Sequence, residues 1–347
     1  MLRLPQFQFI QARTLNEAAS ILSTEGEIVR LVAGGTDLWP NMKRRHQKAR
    51  TVVSLMNIPG LAGFGVNGGV TIGATTLLDD IIRHPVVRER YPAFAAAVQS
   101  ISSPPLRNMG TIGGNLCVDT RCTYYNQTED WRQSIDYCMK EEGKICWVAT
   151  SSPRCWAHTA SDSAPMACAL GAEVKLVSTA GERVIPVENL YEDDGIRYLT
   201  KRPDEILVGL HLPAGSAANR CRSAFWKLRR RGSIDFAVLS VAAAVWMDPA
   251  GIVEKARIYL GAVASYPVPA KESADFLVGK PLNEETIAEA AKLARKAATP
   301  MDNTDFQTQW RGVMVQRYAE AALRDVAGLD PGRLAPRHAG TVLPVIG

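Results

Sequence analysis

No stretch of the chain approaches the ~20 consecutive apolar residues of a membrane span, and the opening MLRLPQFQFIQART has no sustained apolar core of the secretory kind. Neither membrane insertion nor export is therefore expected. Histidine is scarce: His46, His84, His158, His211 and His338 are scattered without metal-type spacing, and no Ser-His-Asp set can be assembled from them. Internal repeats are absent. Basic residues concentrate only at Lys43-Arg44-Arg45 and Arg229-Arg230-Arg231, neither run interleaved with aromatics, so the net charge of +5 gives nucleic-acid binding little support. An odd total of 7 cysteines without a secretory leader argues against a disulfide framework and for a cytoplasmic protein.

What remains is an ordinary globular composition, 46% apolar and 22% charged, in a chain of 347 residues that is long enough for two or three domains. The pattern opens as strand, helix, strand. Phe7 and Phe9 alternate with polar residues, and Thr14-Leu15-Asn16-Glu17 has the form of a capping box ahead of Ala18, Ala19, Ile21 and Leu22. Residues 28–32 read as a buried strand running into Ala33-Gly34-Gly35-Thr36-Asp37. Short strands are predicted at 51–55 and 70–74, and helices at 77–82 and 93–100. Residues 117–157 show little periodicity and read as an insertion. A helix over 162–170 and an alternating strand over 172–177 follow. A small-residue connector at 213–219 marks a boundary; beyond it, strands at 223–227, 238–246 and 256–263 precede helices at 284–297 and about 305–326, the pattern of an antiparallel sheet flanked by helices. From Gly328 the Pro- and Gly-containing tail reads as an extended arm.

Two glycine turns carry the first chemical signal. Val32-Ala33-Gly34-Gly35-Thr36-Asp37 ends a strand in a side-chain-poor turn whose backbone N–H groups could converge on an anion. Taken alone, it is best read as a plain strand-to-loop turn. Met109-Gly110-Thr111-Ile112-Gly113-Gly114-Asn115 has the same character, and two such turns suit a diphosphate. The second turn is neither a G-x-G-x-x-G nor a Walker loop, which favours a flavin dinucleotide over NAD or phosphoryl transfer. Lys227 could donate to a flavin edge or stand as a solvated strand lysine.

The cysteines carry the second signal. Five of them, spaced C-x4-C-x15-C-x7-C-x8-C from Cys117 to Cys155, crowd into one segment, while Cys168 and Cys221 stand apart. Buried apolar cysteines are a poor account of such clustering. Without a C-x2-C pair, structural zinc ranks behind an iron-sulfur cluster, whose ligand spacing tolerates long excursions. A four-iron cluster takes four thiolates, which leaves one cysteine surplus; Cys117, within two residues of the second glycine turn, is the expected spare. The Asp193-Asp194 pair reads as a turn cap, and His158 as a loop residue.

Taken together, these segments resemble the medium, FAD-binding subunit of the molybdenum hydroxylase (xanthine dehydrogenase) family. The resemblance runs through AGGTDLWPNMK (33–43), RNMGTIGGNL (107–116), SDSAPMACALGAEV (161–174), DEILVGLHLP (204–213), FWKLRRRGSIDFAVLSVAAAV (225–245) and ARIYLGAVA (256–264), and the helix with Gln309-Trp310-Arg311. Within that family the cysteine-rich insertion, with its TRCTYYNQ, DYCMK and PRCWA segments, is similar to that of the beta subunits of 4-hydroxybenzoyl-CoA reductases. The resemblance implies an α+β fold: a two-part FAD-binding domain of the PCMH/vanillyl-alcohol-oxidase type over 1–215 with an iron-sulfur loop insertion at 117–157, a C-terminal antiparallel sheet with flanking helices over 220–327, and a tail at 328–347. It places flavin contacts on Leu31, Val32, Ala33, Gly34, Gly35, Thr36 and Asp37, on Thr111, Ile112, Gly113, Gly114 and Asn115, and on Asp162, Leu207 and Lys227. It places a 4Fe-4S cluster on Cys122, Cys138, Cys146 and Cys155, and it puts no catalytic acid, base or nucleophile on this chain.

The resemblance further implies a heterotrimer, doubled in the family pattern, with molybdopterin on a large subunit and two 2Fe-2S clusters on a small one. A ferredoxin-like donor would feed electrons through the cluster and FAD toward reductive removal of a phenolic hydroxyl from an aromatic CoA thioester. An oxidative hydroxylase subunit serving a purine, an N-heteroaromatic or another acyl-CoA stays open, as does a zinc-stabilised FAD-binding module.

Overall fold

The computed structural model describes residues 2–332. Of the expected tail arm, residues 333–347 lie outside the described residues. The chain begins with β1 (Gln8–Gln11), α1 (Leu15–Glu25), β2 (Val29–Val32), α2 (Leu38–Lys43) and β3 (Thr51–Ser54). These strands form a parallel sheet in the order β1-β3-β2. Every residue of the central strand, TVVS, is buried, as a parallel strand covered on both faces requires. Thr14 caps α1 by accepting the Glu17 N–H at 3.1 Å, while the Glu17 carboxylate accepts the Arg13 N–H at 2.8 Å, one residue earlier than a full capping box.

The second part comprises β4 (Phe64–Gly65), β5 (Gly69–Gly73), α3 (Leu78–Arg83), α4 (Pro85–Arg90), α5 (Pro92–Gln99), α6 (Pro104–Arg107), α7 (Ile112–Leu116), α8 (Glu129–Ser134), α9 (Ser163–Leu170), β6 (Glu173–Ser178), β7 (Gly181–Pro186) and β8 (Ile206–Pro213). Its five strands pair antiparallel in the order β4-β5-β8-β6-β7. All residues of α9 are buried, so this short apolar helix belongs between layers rather than on a surface. It ends at Gly171, whose φ of 70 supplies the left-handed C-cap.

The third part is β9 (Arg222–Leu228), β10 (Leu239–Met247), β11 (Val253–Gly261) and β12 (Val268–Pro269), an antiparallel sheet in the order β12-β11-β10-β9, followed by α10 (Lys271–Leu277), α11 (Glu284–Ala297) and α12 (Thr308–Ala327). One face of this sheet receives α9 and the other α12, and the alanines at 242–244 of β10 keep both approaches close. α11 starts on a reciprocal Asn283–Thr286 cap and buries Ile287, Ala290, Ala291 and Ala294, the i, i+3, i+4, i+7 face. Among the described residues no helix is long and apolar enough to cross a membrane.

Arg311 of α12 is 0% exposed and, among the described residues, has no carboxylate partner. Its guanidinium donates instead to the carbonyls of Val238 at 3.1 Å, Met301 at 2.9 Å and Ala262 at 2.5 Å and to Asn303 Oδ1 at 3.1 Å, and burial lowers its pKa to about 10. It thereby ties the helix to the 301–304 loop and to the sheet. Arg311→Met should cost on the order of 3 kcal/mol in urea unfolding, because several buried acceptors lose a charged donor. The exposed Arg295→Met should change stability by less than about 0.5 kcal/mol.

Candidate functional site

β2 ends at Val32 and the chain turns through Ala33, Gly34 and Gly35 before α2. A Cβ on Gly34 would lie 1.7 Å from the Met109 carbonyl oxygen, so the first glycine turn is pressed backbone to backbone against the second. Gly35 holds φ 70, and the Trp39 indole fills the place its Cβ would take, at 2.0 Å. Among the described residues, the backbone N–H groups of residues 34–38 donate to no protein acceptor, leaving donors for an anion.

The second turn departs from the expectation of exposed amides. Residues 112–116 wind into α7, and the N–H groups are committed: Ile112 to the Thr76 carbonyl at 3.1 Å, Gly113 to that of Ala74 at 2.9 Å, Gly114 to the Thr111 hydroxyl at 3.2 Å. A Cβ on Gly113 would stand 2.8 Å from that of Ala74, so only glycine lets α7 seat here. The free amides therefore belong to the first turn, while the second adds a hydroxyl and a side-chain-free surface at Gly114.

Both turns line one cavity of about 1080 Å³, just above the usual range for small-molecule sites and large enough for a dinucleotide. Leu31, Val32, Ala33, Gly34, Gly35, Thr36, Asp37, Thr111, Gly113, Gly114, Asn115, Asp162 and Leu207 stand on its wall. Ile112 is buried behind that wall, and Lys227 stands behind Asp162. The Lys227 ammonium donates to Asp162 Oδ2 at 2.7 Å, the Ser100 carbonyl at 3.0 Å and the Asp235 carbonyl at 2.9 Å, which uses all three of its hydrogens. Its place is to hold Asp162 and two loops at the cavity rather than to face it. Burial raises the pKa of Asp162, and the Lys227 charge opposes that rise.

Asp37 joins the cavity to the insertion. It pairs with Arg121, which also donates to Asn41 Oδ1 at 3.1 Å and lies over the Phe236 ring at 4.7 Å. Burial raises the Asp37 carboxyl, with Arg121 opposing. Arg121 immediately precedes Cys122 and pairs, backbone to backbone, with His158. His158 is thus a buried bridge residue rather than a free loop residue, with Nδ1 2.9 Å from the Thr159 carbonyl. Asp194 caps a turn as expected, accepting the Ile196 and Arg197 N–H groups at 2.7 and 3.0 Å.

The insertion folds around its cysteines. Cys122, Cys138, Cys146 and Cys155 are all buried, and Cys122, Cys138 and Cys155 share one small core with Tyr125 and Ala157. Cys117 packs instead against the core of the second part. Backbone N–H groups aim at the four sulfurs: Tyr124 and Tyr125 at Cys122, Lys140 at Cys138, Val148, Ala149 and Trp156 at Cys146, and Ala157 at Cys155 at 3.4 Å. Cys146 is the hub, hydrogen-bonded to Cys155 and within electrostatic reach of Cys122 and Cys138. Burial pushes Cys122 up to about 12 and raises Cys138, whereas the Cys155 thiol, donating to Cys146, lowers the latter to about 5 and is itself raised. Without a cation three of the four remain neutral thiols, and all four could ionise together only beside a compensating positive charge. Among the described residues no group of three or more His, Cys, Asp or Glu side chains is placed to hold a single metal ion.

Several residues unmarked in the sequence build this pocket. Lys140 and Asp119 form a buried pair at 2.8 Å, and Arg132, 1% exposed, pairs with Glu129 and Glu141. Asn303, from the third part, accepts the Thr123 N–H on its carbonyl at 2.9 Å and donates to the Trp156 carbonyl at 2.7 Å, clamping the segments that bear Cys122 and Cys155. Asp119 and Lys140, each two positions after a cysteine, carry a signal in the sequence; Arg132 and Asn303 carry none.

Gly34→Ala should drive the two turns apart and reduce bound FAD at least about tenfold, measured as flavin absorbance per purified chain, with the far-ultraviolet spectrum of the fold retained. A second expectation concerns acid. Burial, with Arg311 adding to it, lowers the pKa of His158 from 6.5 to about 4. The unfolded imidazole therefore takes its proton near 6.5 while the folded one does not until about 4, so stability falls as pH drops through that window. Urea midpoints measured from pH 7 to 4 should show the fall, and His158→Gln should flatten it.

Residues 5–215 match the FAD binding domain in molybdopterin dehydrogenase, and residues 223–326 match the CO dehydrogenase flavoprotein C-terminal domain. The aldehyde oxidoreductase FAD-binding subunit PaoB of Escherichia coli (strain K12) is 31% identical over 69% of this chain and 76% of its own. The nicotinate dehydrogenase FAD-subunit of Eubacterium barkeri is 28% identical over 81% of this chain and 82% of its own. A solved carbon monoxide dehydrogenase from Hydrogenophaga pseudoflava, a form that lacks the Mo-pyranopterin moiety of the molybdenum cofactor, superposes with a TM-score of 0.77 at 25% identity, covering 94% of this chain and 98% of that one. With both of its domains matched in order and the glycine turns meeting at one dinucleotide-sized cavity, the chain belongs to the FAD-binding medium-subunit family of the molybdenum hydroxylases.

Proposed function

We propose that this chain is the electron-transfer flavoprotein of a 4-hydroxybenzoyl-CoA reductase-like complex, with FAD in the cavity between the glycine turns and a 4Fe-4S cluster on Cys122, Cys138, Cys146 and Cys155. The observation that carries the reading is the convergence of four buried sulfurs, each met by backbone N–H groups, in an insertion with almost no other core. N–H donors to sulfur and burial are the means by which proteins hold and tune such clusters. A four-iron cluster takes one protein sulfur per iron, so its ligands surround a common space and need not meet in the coordination sphere of one ion.

When bound, the flavin supplies exchange between one- and two-electron carriers, and the cluster supplies one-electron storage. The chain's own residues bind and orient. The free N–H groups of residues 34–38 would receive diphosphate oxygens, Gly114 would let the ligand approach the backbone, and Asp162, fixed by Lys227, presents a carboxylate to the cavity. The insertion keeps water from the sulfurs. A large subunit carrying molybdopterin and a small one carrying two 2Fe-2S clusters complete a heterotrimer, doubled in the assembly, and a ferredoxin-like donor supplies electrons for reductive dehydroxylation of an aromatic CoA thioester.

A second reading, an oxidative hydroxylase subunit from which electrons leave, is favoured by relatives named as subunits of nicotinate dehydrogenase, carbon monoxide dehydrogenase and aldehyde oxidoreductase. Assay of the reconstituted complex separates the two. Turnover of 4-hydroxybenzoyl-CoA with a low-potential donor supports the reductase; turnover only of an N-heteroaromatic or another acyl-CoA with an electron acceptor supports the alternative.

In anaerobically purified protein, Cys138→Ser should lose cluster iron while keeping FAD, and Cys117→Ser should keep both, judged by iron and sulfide content and by electron paramagnetic resonance. Equal iron loss in the two variants contradicts the ligand set. A colourless chain with stoichiometric zinc contradicts the cluster itself.

A further inference from the structure

We propose that the buried Lys140–Asp119 pair is a positioning pair that sets the electrostatic level of the cysteine pocket where it borders the flavin cavity. The inference rests on the reading of Cys122, Cys138, Cys146 and Cys155 as cluster ligands. Lys140 lies two residues after Cys138, and its backbone N–H donates to the Cys138 sulfur. Its side chain turns inward, with Nζ 2.8 Å from Asp119 Oδ1, 2.8 Å from Thr120 Oγ1 and 2.6 Å from the Gly195 carbonyl, and over the Tyr125 ring at 5.0 Å. The two side chains are 5% and 7% exposed, yet both residues stand on the cavity wall.

Gly195 connects this ammonium to another of the four sulfurs. A Cβ there would fall 2.7 Å from Cys155 Sγ, and the Gly195 N–H donates to the Cys155 carbonyl at 2.9 Å. The Lys140 charge acts on Cys138, Cys155 and Asp37, and that of Asp119 acts on Asp37, Tyr198 and Tyr125, so both charges bear on the cysteine pocket and on the cavity it borders. The ammonium is thus tied to two of the four sulfurs, through its own backbone at Cys138 and through Gly195 at Cys155.

Stability alone does not account for it. A buried ion pair repays its desolvation only when its hydrogen bonds are complete, and an apolar pair of similar volume serves a core as well. Here every Lys140 hydrogen is satisfied, and the pair lies where charge bears on electron transfer. The step concerned is the addition of one electron, from a low-potential one-electron reductant, to the cluster. It adds one negative charge to the pocket, which a nearby cation favours and a nearby anion disfavours.

The test is a dithionite titration of the cluster- and FAD-loaded chain followed by electron paramagnetic resonance. Lys140→Met should shift the cluster midpoint to more negative potential, Asp119→Asn should shift it to more positive potential, and Lys140→Arg should leave it near the wild-type value. Opposite shifts are the signature of charge, since a loosened fold would move both variants the same way. Shifts of one sign, or none, with iron and FAD retained, overturn the proposal. If Lys140→Met does not fold, the double variant Lys140→Met/Asp119→Asn, which leaves neither partner unpaired, is compared with Asp119→Asn. The double should lie at the more negative potential, and equal midpoints overturn the proposal. A wild-type chain without iron overturns the ligand reading and this inference with it, which distinguishes the two failures.

Discussion

The close approach of Gly34 to the Met109 carbonyl is the constraint on which the arrangement rests. No side chain is tolerated at that contact, so the two glycine turns meet through bare backbone. Because they meet there, Asp37, at the end of the first turn, falls within reach of Arg121, and Arg121 is one residue from Cys122. A packing requirement between two loops distant in sequence thereby fixes the distance between the flavin cavity and the cysteine pocket.

Charge does in the insertion what apolar packing does elsewhere. Arg121, Arg132 and Lys140 are almost wholly buried, and each is matched by carboxylates or carbonyls. Such pairs add little net stability but penalise wrong arrangements, since any misplacement strands a charge away from water. The third part contributes as well: Asn303, held by Arg311, fastens the segments around Cys122 and Cys155, and Phe236 covers Arg121. The sheet at the end of the chain is thus part of the support for a site built largely by the beginning.

Much of this could be read from residues alone. The capped α1, the buried β2, the central β10 and the amphipathic α11 follow from caps and periodicity, and the crowding of five cysteines marked the pocket. Two kinds of feature escaped. α2 and α7 are short and carry Pro40 or paired glycines, residues that argue against helix until tertiary contacts decide otherwise. The second kind is buried charge: a lysine or arginine in a polar loop reads as solvated, and only the fold shows that Lys227 stands behind Asp162 or that Lys140 faces inward. Both failures concern residues whose placement is set by partners far away in sequence.

The most direct measurement is anomalous diffraction from crystals of the anaerobically prepared chain, collected at the iron and zinc absorption edges. The account predicts iron signal enclosed by Cys122, Cys138, Cys146 and Cys155, with flavin diphosphate density against residues 34–38. Zinc signal at those four sulfurs, or a dinucleotide bound away from the glycine turns, would contradict it.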